Sequence, residues 1–271
     1  MPWTKEHIQW LHDTGEVISI STGDIVPVFE FAYDVTNEEA MSHWARHFRN
    51  HYCADDEIAI LKPQGMTNKD YLLNLKFPNE NKSPGASIRA GDFAEILVAD
   101  YLVFLHNYYV PRTRYARKTI VNESSKGSDV LGFKKINRTP SIKDELLIYE
   151  VKARLSENSA QNTLQTAIDD SSKDEARLAE SLNGAKQRLY DQRDFKGMGI
   201  ISRFQKNVDH PYQTKFGAAA VLTDSSCCVE TLAEASTKEH SSPTHLEMIV
   251  IRGPVLMSLV HELYERAANE A

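Results

Sequence analysis

Leu146-Leu147-Ile148-Tyr149 is a continuous apolar run that ends in Glu150-Val151-Lys152, and no other stretch restricts the fold as strongly. Successive apolar residues without polar alternation indicate a strand covered on both faces, as in the sheets of α/β proteins. Side chains alternate along a strand, so Glu150 and Lys152 share one face while Val151 takes the other. A carboxylate and an ammonium at the end of such a strand are costly to bury unless they are paired or hold a metal.

A second short strand is indicated at Asp129-Val130-Leu131-Gly132-Phe133, opened by the turn formers Gly127-Ser128. If the two strands pair, Asp129 and Glu150 can share one cation with Lys152 beside it. Hard carboxylate oxygens, with the remaining positions left to water, suit Mg²⁺ or Mn²⁺ rather than zinc. That is chemistry for hydrolysing a phosphodiester. A third carboxylate, Glu95, lies one turn into the apolar stretch Ala90 to Leu105, which Asp92 is expected to cap. Glu95 either turns toward Asp129 and Glu150 as a further metal ligand or serves the helix N-terminus as a dipole partner. The candidate set is therefore Glu95, Asp129, Glu150 and Lys152, with the three carboxylates as metal ligands. The plainer alternative for Glu150 and Lys152 is a solvated strand of alternating charge.

The formal net charge of −7 argues against a free-standing, high-affinity nucleic-acid binder. The charge is uneven, however: Pro111 to Arg154 holds eleven basic residues against five acidic ones. A basic rim on an acidic body fits a subunit that borrows DNA affinity from a partner. Within it, the run Arg112 to Lys118 reads as a solvated face. Lys186, Gln187 and Arg188 read as a surface helix, with DNA phosphate contact as the alternative. Cys53, Cys227 and Cys228 are an odd count without metal-ligand spacing, which fits reduced thiols and a cytoplasmic setting. No apolar run approaches the roughly 18 residues of a membrane span, and Met1 to Glu6 is too polar for a signal peptide. No Gly-rich phosphate loop, Ser-His-Asp order or zinc-ligand cluster is evident.

The pattern of elements is α/β, divided into an N-terminal α/β extension over 1–84 and a larger domain over 85–271. Val17 to Ile20 and Val26 to Phe31 have strand composition, with Pro27 favouring an edge. Thr36-Asn37-Glu38-Glu39 opens a helix that carries His43, His47 and His51 on one face. One straight helix spreads three such residues too widely to ligate one ion, so this face is structural or contacts a partner. Asn79 to Gly85 is a polar linker and the boundary between the two portions. Tyr108-Tyr109-Val110 starts a strand. Ser156 to about Gln205 is mainly helical and broken near Gly197 and Gly199, and Phe216 to Thr223 and His245 to Arg252 are strands. An amphipathic helix from Val255 to Ala268 follows Pro254.

A helix with Glu95, a strand with Gly127-Ser128-Asp129, a strand with Glu150-Val151-Lys152 and then helices is an order that resembles the PD-(D/E)xK nuclease superfamily. Ser128 stands where that motif has proline. More narrowly, four segments resemble the nuclease subunit of the Hachiman anti-phage defence system: Gly91-Asp92-Phe93-Ala94-Glu95, Lys126-Gly127-Ser128-Asp129, Tyr149-Glu150-Val151-Lys152-Ala153 and Trp44 to Tyr52. The resemblance implies a restriction-endonuclease-like core, a mixed sheet flanked by helices. It further implies a Mg²⁺-dependent DNase effector held by a partner helicase. Asp129 and Glu150 would hold the metal, and Glu95 would complete or orient that site. Lys152 would position the attacking water and stabilise charge on the phosphorane. A restriction endonuclease or junction resolvase of the same superfamily, or a non-catalytic adaptor that keeps the fold, are the alternatives.

Overall fold

The computed structural model describes residues 3–156 and 161–271. In it the apolar run lies in a strand, β4 (Glu145–Arg154), with a partner on each side. The other strands are β1 (Leu11–Ser19), β2 (Ile25–Phe31), β3 (Val130–Lys134), β5 (Gln213–Thr223) and β6 (Leu246–Gly253). They form one six-stranded mixed sheet in the order β1-β2-β6-β5-β4-β3. The β2–β6, β6–β5 and β5–β4 pairs are parallel, whereas β1–β2 and β3–β4 are antiparallel. The α/β class expected from the sequence is the class observed.

Alternation along the strands sorts the sheet into two covered faces. Leu147, Tyr149 and Val151 of β4 join a core with α1 (Glu38–Asn50), α2 (Asp55–Leu61), α3 (Asn68–Tyr71), α4 (Gly85–Asp100) and α9 (Leu256–Asn269). Leu146 and Ile148 face the opposite side, under α6 (Asp174–Asp191) and α7 (Phe195–Phe204). On that side α5 (Thr163–Ser171) and α8 (Val229–Ala233) cover the even-numbered Ala218, Ala220 and Leu222 of β5. Glu150 and Lys152 therefore project toward α5 and α6, and Glu95 lies on a helix of the other face. Among the described residues no helix is long and apolar enough to cross a membrane.

Several local expectations are revised. Residues 1–84, read as an extension, give β1 and β2 to the common sheet, and their core residues Phe31, Trp44 and Phe48 pack in one cluster with Leu97, Tyr149 and Leu263. Pro27 is not on an edge strand, since β2 lies between β1 and β6; the pairing with β6 begins only at Val28, so no bond is lost there. Asp92 is not a cap, because α4 starts seven residues earlier at Gly85. The break after α6 falls at Gln192 to Asp194, not at the glycines: Asp194 caps α7 by accepting from the Gly197 amide. Gly197 is required there because a Cβ would collide with the Tyr109 hydroxyl. Tyr108 to Val110 contributes only an isolated bridge between Tyr109 and Phe133. Of the helical stretch expected from Ser156, residues 157–160 lie outside the described residues.

The Tyr149 ring, fully buried beside the site residue Glu150, lies against Gly217 of the neighbouring strand, where a Cβ would run into the ring. Overpacking a rigid core costs about 1–3 kcal/mol. Gly217→Ala is expected to lower the urea midpoint accordingly, and an unchanged midpoint would show that β4 and β5 separate more easily than this packing implies.

Candidate functional site

The β3–β4 register sets Val130 opposite Tyr149, which carries Asp129 to the position opposite Glu150. Their proximity is also seen in the Val151 amide, which donates to Asp129 Oδ2 at 3.0 Å. Glu150 Oε1 accepts from Lys152 Nζ at 2.6 Å, and the same ammonium lies 2.7 Å from Asp170 Oδ2 of α5. Arg177 of α6 reaches Glu150 Oε2 at 3.3 Å and Asp174 Oδ1 at 3.0 Å. Ser128 donates to Asp174 Oδ1 at 2.8 Å, and its amide donates to Ser181 Oγ. The Gly127-Ser128 turn is thus anchored on α6, and that anchoring places Asp129.

Burial pushes the Glu150 carboxyl from its ordinary 4.5 to about 7, and Asp129 pushes in the same direction while Lys152 opposes it. Burial works against the Lys152 ammonium, but Asp170 and Glu150 outweigh it and hold Lys152 above its usual range. Lys152 accordingly stays charged and serves as a donor, not a base.

Glu95 does not join the pair directly. It meets Arg114, whose Nε lies 2.6 Å from Glu95 Oε2 while Nη2 donates to Asp129 Oδ1 at 2.7 Å. Tyr115 donates to the same Glu95 carboxylate. The arginine is fixed further by the Ser125, Gly127 and Ser128 carbonyls. Burial raises Glu95 to about 8, against the pull of Arg114. The three carboxylates named from the sequence therefore do not converge into one tight ligand cluster: Asp129 and Glu150 share a sheet face, and Glu95 reaches Asp129 through an arginine.

Of the basic residues in Arg112 to Lys118, Arg117 is solvated and the other three are not. Arg112 pairs with Asp100 at 2.5 Å, Arg114 with Glu95, and Lys118 with Asp92 at 2.9 Å, and all three cations are largely buried. The histidine face of α1 is structural, as one of its two readings had it: His47 and His51 are buried and His43 is exposed. His7 and His47 each bring Nε2 within 3.0 Å of Asp100 Oδ2, the one group of three close ligand-type residues among the described residues. Thr4 donates its amide to His47 Nδ1, so the hydrogen of that ring lies on Nε2 and points at Asp100. Burial holds His47 down to about 4, hence neutral. With Arg112 already supplying the positive charge at Asp100, this is a hydrogen-bonded core network, not a metal centre.

Around Asp129 and Glu150, the carboxyl groups of Glu95, Asp170 and Asp174 bring the total to five, and the cations Lys152, Lys173, Arg114 and Arg177 pair with them. Oxygen donors of this kind suit a hard divalent cation. Arg114, Asp170 and Arg177 were not singled out from the sequence. The first sits in a basic run and the others on amphipathic helices, patterns that ordinarily mark solvent-facing residues.

Because the folded chain keeps a proton on Glu150 that the unfolded chain has lost, stability falls as pH rises from about 4.5 to about 7. Glu150→Gln removes that fall. The variant should gain on the order of 1–3 kcal/mol over wild type at about pH 8 and little at about pH 4. Urea midpoints at the two pH values check this, and a difference independent of pH would contradict the assigned environment.

No curated protein matches the chain. A family model described as HamA matches residues 5–267. The match takes in both faces of the sheet and every residue of the site, and the chain belongs to the HamA family.

Proposed function

We propose that this protein is a divalent-cation-dependent deoxyribonuclease of the PD-(D/E)xK type, the effector of a Hachiman-type anti-phage complex governed by a helicase partner. The observation that carries the reading is the placement of Asp129 and Glu150 opposite one another on paired strands, with Lys152 two residues on and on the same face. The HamA family, associated with Hachiman defence, supports the biological setting.

Asp129 and Glu150 would hold Mg²⁺ or Mn²⁺, which when bound supplies Lewis-acid polarisation of a phosphoryl oxygen and a more acidic water. The chain's own residues supply the rest. Lys152, kept protonated by Asp170 and Glu150, presents positive charge to the oxygens on which negative charge develops. Asp170 orients the ammonium, and the Ser128–Asp174 bond fixes the backbone that carries Asp129. Glu95 acts through Arg114, which positions Asp129.

The same contacts support external control. Arg114 neutralises Asp129 and Arg177 engages Glu150, so both proposed ligands already face cations of the chain itself. A cation must compete with these arginines, and a partner that shifts α6 or the segment bearing Arg114 would change that competition.

Asp129→Ala, Glu150→Ala and Lys152→Ala should each lower DNA cleavage on the order of 10²–10⁴-fold. Glu95→Gln should have a smaller effect, since it acts through Arg114. Plasmid nicking with Mg²⁺, by the chain alone and with a candidate helicase plus ATP, measures both parts of the reading. A folded Glu150→Ala variant that cuts at the wild-type rate would remove the site. A helicase that neither binds the chain nor changes cleavage would remove the partner and leave the nuclease.

A further inference from the structure

A cavity of about 270 Å³ opens beside Asp129 and extends between α4, α6 and the segment that carries Arg114. Its lining includes the basic residues Arg114, Lys126, Arg177 and Arg188 and the acidic Glu95, Asp129 and Glu180. Most cations in this part of the molecule are paired: Arg114 with Glu95 and Asp129, and Arg177 with Glu150 and Asp174. Arg188 differs. Half-buried on α6, it makes no side-chain hydrogen bond or ion pair among the described residues. Its guanidinium lies back along the helix over Gly184, which also lines the cavity and leaves room for it. Burial and the neighbouring Arg114 both work against its charge. Glu180, exposed on the same wall, forms no ion pair with it.

A guanidinium desolvated without an anion is unfavourable, and this chain has 38 acidic residues from which a partner could have been drawn. Resting on the nuclease reading above, we propose that Arg188, with Lys126 at the rim, forms a phosphate subsite that holds a backbone phosphodiester of a nucleic-acid strand beside the Asp129–Glu150 pair. A guanidinium fork matches phosphate oxygens in a bidentate manner, and Lys126, exposed and without an ion pair among the described residues, adds a second charge. The apolar part of the wall, including Ile96, Leu131 and Ala185, offers contact to the sugar of the same nucleotide. Arg188 is then a positioning residue: it sets which phosphate reaches the carboxylates and takes no part in bond cleavage.

The test uses the full chain without divalent metal, so that binding is read apart from cleavage. A fluorescent single-stranded DNA is titrated against wild type, Arg188→Gln and Arg188→Lys at several low salt concentrations, and inorganic phosphate is tested separately by thermal melting. Arg188→Gln is expected to weaken DNA binding about tenfold, the effect of losing one charge-assisted contact. It should also reduce the slope of log affinity against log salt by about 0.7, the value of one phosphate contact on a single strand. Arg188→Lys should restore the slope, and phosphate should raise the melting temperature of wild type more than that of Arg188→Gln.

Arg188→Gln with wild-type affinity and slope overturns the subsite, as does a wild type that responds to neither DNA nor phosphate. A response to inorganic phosphate alone, with no DNA binding, overturns the assignment to a nucleic-acid strand. Arg188-dependent DNA binding without cleavage under any metal condition, by the chain alone or with the helicase and ATP, upholds the subsite and rejects the nuclease reading, so the two fail separately.

Discussion

Three buried ion pairs between α4 and the segment after it hold the rest of the molecule in place. Arg112, Arg114 and Lys118 follow one another along the chain, and their partners Asp100, Glu95 and Asp92 descend the helix in reverse order. The two segments therefore run antiparallel, over roughly 12 Å of helix at 1.5 Å per residue. Breaking one buried pair leaves an uncompensated charge at a cost of about 3–5 kcal/mol, so each pair fixes the register of the next. Asp100 gathers Arg112, His7 and His47 around its two oxygens. After residues 119–126 the chain returns to this strap at Gly127-Ser128, whose carbonyls accept from Arg114, and enters Asp129. Asp129 is thus held from both faces of the sheet, by Arg114 of this strap and by the anchoring of Ser128 on α6.

That arrangement explains which parts of the structure were readable from the sequence. Leu146 to Tyr149 declared a strand with two covered faces because an unbroken apolar run has few other destinations, and β4 is such a strand. The meeting of Asp129 with Glu150 followed from pairing it with the next apolar segment, since register carries flanking residues along. The strap could not be read in the same way. A basic run looks alike whether its charges face water or buried carboxylates, and the acids that answer it lie 12 to 26 positions earlier on an otherwise apolar helix. The structural alternative for the histidines of α1 holds, but its partners were not legible: their spacing gives the face they share, whereas burial of that face depends on His7 and Asp100, which are distant in sequence.

Glu95 shows how a correct element can carry an incomplete inference. Its helix was recognised, yet α4 packs on the side of β4 that bears Leu147 and Tyr149, opposite to Glu150 and Lys152. Strand alternation makes the two sides chemically separate, and only a side chain reaching past the sheet edge can join them. Arg114 does so because β3 is the edge strand and Asp129 stands at its start.

The parallel pairing of β2 with β6 brings residue 28 beside residue 250. During synthesis, β2 emerges more than two hundred residues ahead of the strand that completes its hydrogen bonding. Contacts of such separation form late, because loop closure precedes any gain from them. The inner strand β5 also waits for β6 on one of its sides, and β5 in turn flanks β4 and its charged pair. A ribosome-bound chain interrupted before residue 246 therefore has every proposed catalytic group and lacks the strand that locks their sheet.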